Sequence, residues 1–119
     1  MVTEVDVRRI CLSLPETMEQ PYERLPGFPV RKGLFARIRA KPDALVVSRP
    51  FVEEEEARMA AEPHKFFQTP HYEGHPAVLV QLEAVELAAL EELLGEAWLL
   101  AAPLKLAAAY RAEHRMLPA

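Results

Sequence analysis

Apolar residues recur first at helical spacing. Val7, Ile10, Cys11 and Leu14 stand at i, i+3, i+4 and i+7, one stripe of an amphipathic helix. Thr3 suits the N-cap, Glu4 and Asp6 complement the positive end of the helix dipole, and Pro15 stops the helix. Residues 15–27 carry Pro15, Pro21, Pro26 and Gly27 and read as an extended, turn-rich connection. The period then changes to two. Phe28 to Arg31 and Leu34 to Arg39 are expected to pair around a Lys32-Gly33 turn. In the second of these strands Leu34, Ala36 and Ile38 should share one face, with Phe35, Arg37 and Arg39 on the other. Lys41-Pro42-Asp43 reads as a turn and Ala44 to Ser48 as a third strand, completing a meander with one basic face.

Beyond Pro50, Glu53 to Glu56 open a helix that runs to about Ala61, and Pro63 stops it. Lys65 to Thr69 and Ala77 to Leu82 look extended, joined by a Pro70 to Pro76 hairpin tip. Leu87, Leu90 and Leu94 return to helical spacing, Gly95 should break the helix, and Ala97 to Leu99 follow. Pro103 fits the first turn of a last helix, Leu104 to about His114. This order predicts an α+β fold: a mostly antiparallel sheet of about five strands packed against helices.

Length and composition narrow the class. A chain of 119 residues that is half apolar and 27% charged can bury one core, so residues 1–119 are expected to form a single domain. No charge-free stretch approaches the ~20 residues of a membrane span. The start, Met-Val-Thr-Glu-Val-Asp, lacks the apolar region of a secretion signal. A soluble, cytoplasmic protein is expected. The lone Cys11 excludes an intramolecular disulfide and reads as an inert core thiol. There are eleven Pro and no Asn, a bias that suits a heat-adapted protein and would equally follow from a GC-rich genome.

Charge is unevenly placed. The net charge is −4, yet residues 22–50 hold seven bases against two acids, a local +5. The flanking segments are acidic, at −2 for residues 1–21 and −7 for residues 51–119. An acidic total argues against indiscriminate binding to nucleic acid, while the basic segment keeps one face open to it. Arg37 and Arg39 should project together from a strand, with Arg31, Lys32 and Lys41 at or beside turns and Arg49 further on. Cations placed so can follow a phosphate backbone, or form a solvated sheet face paired with the acidic helices.

Other chemistry is thinly represented. His64, His71 and His75, with Glu73, are the cluster that most resembles metal ligands, but Gly74 and Pro76 argue against a helix that would align them. Consecutive positions Glu53 to Glu56 point about 100° apart and cannot converge, so the run reads as a solvated helix start. Ser13 and Ser48 have no adjacent base, and no phosphate loop or nucleotide-binding fingerprint is present. No catalytic residues and no cofactor are expected. One of Phe66 and Phe67 should be buried and the other exposed; core packing is the first reading of these aromatics, with stacking on a base or a ligand left open for Tyr72 in the tip.

Three stretches resemble a known family. Ile10-Cys11-Leu12-Ser13-Leu14-Pro15-Glu16-Thr17 is similar to the opening of MmcQ/YjbR-like proteins. Phe28-Pro29-Val30-Arg31-Lys32-Gly33-Leu34-Phe35-Ala36 resembles their first hairpin, and Phe66 to Val80 their second. The resemblance implies a CyaY-like α+β fold with a double-wing motif, and DNA binding with the hairpins as wings. One wing would present Arg31 and Lys32, the other His71, Tyr72 and His75. The second wing is less basic here, because His71, His75, Pro76 and Ala77 stand where relatives often carry lysines and a tryptophan. The expectation is a non-enzymatic DNA-binding protein contacting phosphates through Arg31, Lys32, Arg37, Arg39, Lys41 and Arg49. The alternatives are an adaptor for an unidentified protein partner, and a metal- or small-ligand-binding domain centred on the loop histidines.

Overall fold

The computed structural model describes residues 1–41 and 43–114. Pro42 of the expected 41–43 turn lies outside them. Helix α1 (Glu4–Ser13) begins as its sequence predicts, with the Thr3 backbone N–H donating to the Asp6 carboxylate at 2.9 Å. Val7, Ile10, Cys11 and Leu14 are all buried, and burial pushes the Cys11 thiol up to about 12, far from reactivity.

The chain then builds β1 (Gln20–Tyr22), β2 (Leu25–Val30), β3 (Gly33–Arg39) and β4 (Ala44–Ser48), followed by α2 (Val52–Ala61). Strands β5 (Phe66–Phe67) and β6 (Ala77–Val80) and helices α3 (Leu87–Ala101) and α4 (Leu104–Glu113) complete it. Among the described residues, the six strands form one antiparallel sheet in the order β1-β2-β3-β4-β6-β5. One main core joins α1, α3 and α4 to a single face of the sheet, through Phe28, Val30, Ile38, Leu45, Val47, Val78 and Val80. The fold is a single α+β domain. The opposite face carries only a small cluster, Ala44, Val46 and Leu79, with Phe67, Tyr72 and Ala77 packed on it.

Four expectations need correction. The sheet has a sixth strand, β1, in the segment read as connection; its three residues are exposed, so no burial pattern announces it. The β2–β3 turn is Arg31-Lys32, because Val30 pairs with Gly33. Phe35 does not share the arginine face. A bulge pairs Phe28 with Ala36 and Pro29 with Leu34, so Phe35 is the inserted residue and joins the main core beside Ala36. Finally, α3 runs unbroken through Gly95. Leu90, Leu93, Leu94, Ala97 and Trp98 are buried on both sides of it, and that packing outweighs the ~1 kcal/mol a helical glycine costs. A Cβ at Gly95 would meet nothing within 4 Å. Gly95→Ala should therefore raise stability by about 0.5–1 kcal/mol in urea titration, whereas a loss would show that the helix needs glycine there.

No helix of the described residues is long and apolar enough to cross a membrane.

Candidate nucleic-acid interface

Alternation along β3 sends Ala36 and Ile38 into the core and leaves Arg37 and Arg39 on the bare face, about 6.7 Å apart along the strand. Two connections rise beside them. The β1–β2 turn brings Tyr22 and Glu23, since Tyr22 pairs with Leu25 and only Glu23 and Arg24 intervene. Gly27 makes room for this turn: a Cβ there would stand 3.0 Å from Tyr22 Cβ. From the other side, the β5–β6 connection coils back over the sheet. The N–H groups of Tyr72 and Glu73 both donate to Thr69 O, at 2.9 and 3.1 Å, and His75 N–H donates to Tyr72 O at 2.9 Å. Tyr72 is thereby packed on the sheet cluster instead of standing in a free tip.

Between the two connections lies an open cleft of about 410 Å³, lined by Tyr22, Glu23, Arg37, Arg39, His71 and Tyr72. Its two arginines differ. The Arg37 guanidinium lies 4.9 Å from the Tyr22 ring centre and 5.8 Å from that of Tyr72, and donates to the Tyr72 hydroxyl. Its side chain is only 12% exposed, and the Glu23 carboxylate stands 3.6 Å away. Arg37 thus ties both connections to the floor. Arg39 lies 6.0 Å from the Tyr72 ring centre and donates from Nη2 to Lys41 O at 3.2 Å. Its Nε–H has no acceptor among the described residues, and neither Arg39 nor Lys41 has a carboxylate within ion-pair distance there.

The remaining cations separate from this group. Lys32 is exposed in the β2–β3 turn, at the other end of β3 and on the order of 25 Å from Lys41. Arg31 shares that turn but is held by Glu16 through Nε and Nη2, at 2.7 and 3.1 Å. This fork keeps the Glu16 carboxyl below its ordinary value. Arg49 does not belong to any exposed surface. It is 4% exposed, with Nε 3.1 Å from Glu55 and Nη2 2.9 Å from Glu96. Burial works against its charge, but the hydrogen bonds to Glu55 and Glu96 prevail and raise its pKa above the ordinary arginine value.

Glu55 corrects the expectation that the Glu53–Glu56 run is solvated throughout. It is fully buried, while its neighbours remain at the surface. One carboxylate in four turns inward, and Arg49 meets it there.

The histidines also divide. His71 and His75 have nearly parallel rings 6.2 Å apart, and both approach Tyr72 edge-on. His64 is not among them, and no three His, Cys, Asp or Glu side chains gather as metal ligands among the described residues. The loop-histidine metal reading has no geometric support.

Tyr22 and Glu23 were missed by sequence reasoning. A hairpin at Glu23-Arg24 has no Asn or Gly to announce it, and the only cue was the short interval between Pro21 and Pro26.

No family model matches the chain. Among solved structures it is similar to Deinococcus radiodurans protein DR2400, described as a DUF419 domain, with a TM-score of 0.72 and 26% identity over 98% of this chain and 91% of that one. The architecture is therefore that of a small α+β domain of this kind. In sequence it is 38% identical over 126 residues to the uncharacterized proteins Rv2570 of Mycobacterium tuberculosis and Mb2600 of Mycobacterium bovis, covering 94% of this chain and 98% of each relative. The chain belongs to the family that includes these mycobacterial proteins.

Proposed function

We propose that the protein binds nucleic acid on the bare face of its sheet, by phosphate contacts from Arg39 and Lys41, with Arg37 beside them and Lys32 at the far end of β3. One observation carries this reading. In a chain of net charge −4, where Arg8, Arg9, Arg31, Arg37, Arg49 and Arg58 each stand within ion-pair distance of a carboxylate, Arg39 and Lys41 lie together without an acidic partner among the described residues. Arg39 stands on the sheet face that helices leave uncovered, beside the Tyr72 ring, and Lys41 follows it in the turn towards β4.

The stretches that resemble MmcQ/YjbR-like proteins support the same reading. They fall at the end of α1, on the β2–β3 hairpin and on the β5–β6 hairpin. The reading does not need the hairpins to project as wings: Lys32 lies in the β2–β3 turn, Arg39 and Lys41 lie at the opposite end of β3, and the β5–β6 connection is packed back on the sheet. A phosphate-dominated contact implies modest affinity, steep salt dependence and no role for Arg49.

A titration with DNA at ~50 mM salt should give a complex that weakens sharply towards ~200 mM. Replacing both Arg39 and Lys41 with Ala should weaken binding and reduce the slope of log affinity against log salt by about 0.7–0.9 for each lost phosphate contact. Lys105→Ala, on the exposed surface of α4, is the control and should change nothing. Absence of any complex at tens of micromolar DNA in low salt would remove the proposal.

A further inference from the structure

We infer that the cleft between the β1–β2 turn and the β5–β6 connection receives one unpaired nucleotide of a single strand, and that Glu23 selects cytosine and adenine over thymine through their N4 and N6 amino groups. The inference rests on the nucleic-acid reading above and adds the strand form and the base. A duplex keeps its bases stacked inside, whereas a cleft with aromatic walls and a cationic floor suits a base turned outward beside its phosphate. Tyr22, a residue 42% exposed, forms one wall, Tyr72 and His71 form the opposite wall, and Arg37 and Arg39 lie beneath.

Glu23 decides the chemistry. A site for phosphate alone gains nothing from a carboxylate 3.6 Å from its arginine, because it repels the polyanion. The same carboxylate accepts well from the N4 amino group of cytosine, and the N6 amino group of adenine offers an equivalent donor. Thymine presents a carbonyl oxygen at that place and would face the carboxylate unfavourably.

The turn supplies an independent argument. Glu23 and Arg24 both have positive φ, 50° and 72°, in a two-residue hairpin connection where Asn-Gly is the relaxed choice. Side chains held in such strain concentrate where they meet ligands. Of the two, Glu23 lines the cleft.

The test is fluorescence anisotropy with labelled oligo(dC), oligo(dA) and oligo(dT) of about 15 nucleotides, a duplex of the same length, and unlabelled dCMP as competitor. Oligo(dC) and oligo(dA) should bind about tenfold more tightly than oligo(dT) and more tightly than the duplex. Glu23→Gln, whose amide can accept or donate, should bring the three strands within about twofold of one another. Replacing Glu23 with Asn and Arg24 with Gly together should raise the melting temperature while abolishing the base preference, which separates recognition from folding. Equal affinity for the three strands, or a preference that survives Glu23→Gln, overturns the inference. If duplex and strands bind alike without preference, nucleic-acid binding stands and the cleft reading falls; if nothing binds, both fall. Competition by dCMP as strong as by oligo(dC) would make the cleft a mononucleotide pocket and overturn the strand claim.

Discussion

Glu55→Ala is expected to cost about 3–5 kcal/mol of stability, the largest loss from any single surface-like letter of this sequence. In a domain whose total stability is of order 5–15 kcal/mol, that is enough to leave much of it unfolded on mild warming. The reason lies in what remains behind. Glu55 is fully buried, and its two oxygens accept from Arg49 Nε at 3.1 Å and Arg58 Nε at 3.0 Å. Without the carboxylate, the 4%-exposed Arg49 keeps only Glu96, which is itself half exposed, and Arg49 Nη1 already lacks a partner among the described residues. An uncompensated interior charge is far costlier than the pair was beneficial. Hence the contrasting expectation for Arg49→Met combined with Glu55→Leu, which removes both charges and should be close to neutral or stabilising. Urea titration of the two variants checks the argument. A single variant losing under about 1 kcal/mol, or a double variant no better than the single, would show that the pair is not the lock between β4, α2 and α3.

Trp98→Ala should cost a similar amount, about 3–5 kcal/mol, through lost burial and the cavity left behind. Trp98 is completely buried on α3, its ring 4.9 Å from that of Tyr110 on α4. Its indole N–H donates to Pro15 O at 3.0 Å, just beyond the end of α1. One side chain thus fastens three helices to each other. Trp98→Phe keeps most of the volume and removes only the indole N–H from the Pro15 carbonyl, which still accepts from the Thr17 hydroxyl at 3.4 Å, so it should lose distinctly less. As the chain has a single tryptophan, the native protein can be followed by fluorescence and both variants by far-ultraviolet circular dichroism. Equal losses for Ala and Phe would place the stabilisation in the hydrogen bond instead of the packing.

Neither prediction touches the bare face of the sheet, which separates stability from binding in this molecule. Arg39 and Lys41 serve no internal ion pair among the described residues, so their replacement should spare the fold. Arg37 is different, because it carries the Tyr22 and Tyr72 contacts that shape the cleft.

Much of this architecture was legible where the information is local. The α1 stripe, its Thr3 start and its Pro15 stop come from neighbours within one or two turns, and the structure reproduces them. The alternation in β3 and β4 identified the arginine face correctly for Arg37 and Arg39, and the antiparallel meander followed from turns of two to four residues. Propensity alone misled at Gly95, where flanking leucines and Trp98 hold the helix against its weakest residue. It misled at Phe35 too, since a bulge is a property of two strands in register and neither strand shows it separately.

For the candidate site the division is sharper. The chain's letters were sufficient to mark a basic segment in an acidic protein and to place two arginines on one side of a strand, because charge and two-residue periodicity are readable one residue at a time. Which of those cations is spent internally was settled in three dimensions. Arg49 and Glu55 are six positions apart and each looks like a surface residue, yet burial is tolerable for either only beside the other. Tyr22 and Tyr72 are fifty positions apart, and they meet across Arg37 only because edge strand β1 and the β5–β6 connection bring them to the same sheet face. Pairings of that kind depend on strand order and on the competition among charges for partners, and neither leaves a periodic trace along the chain.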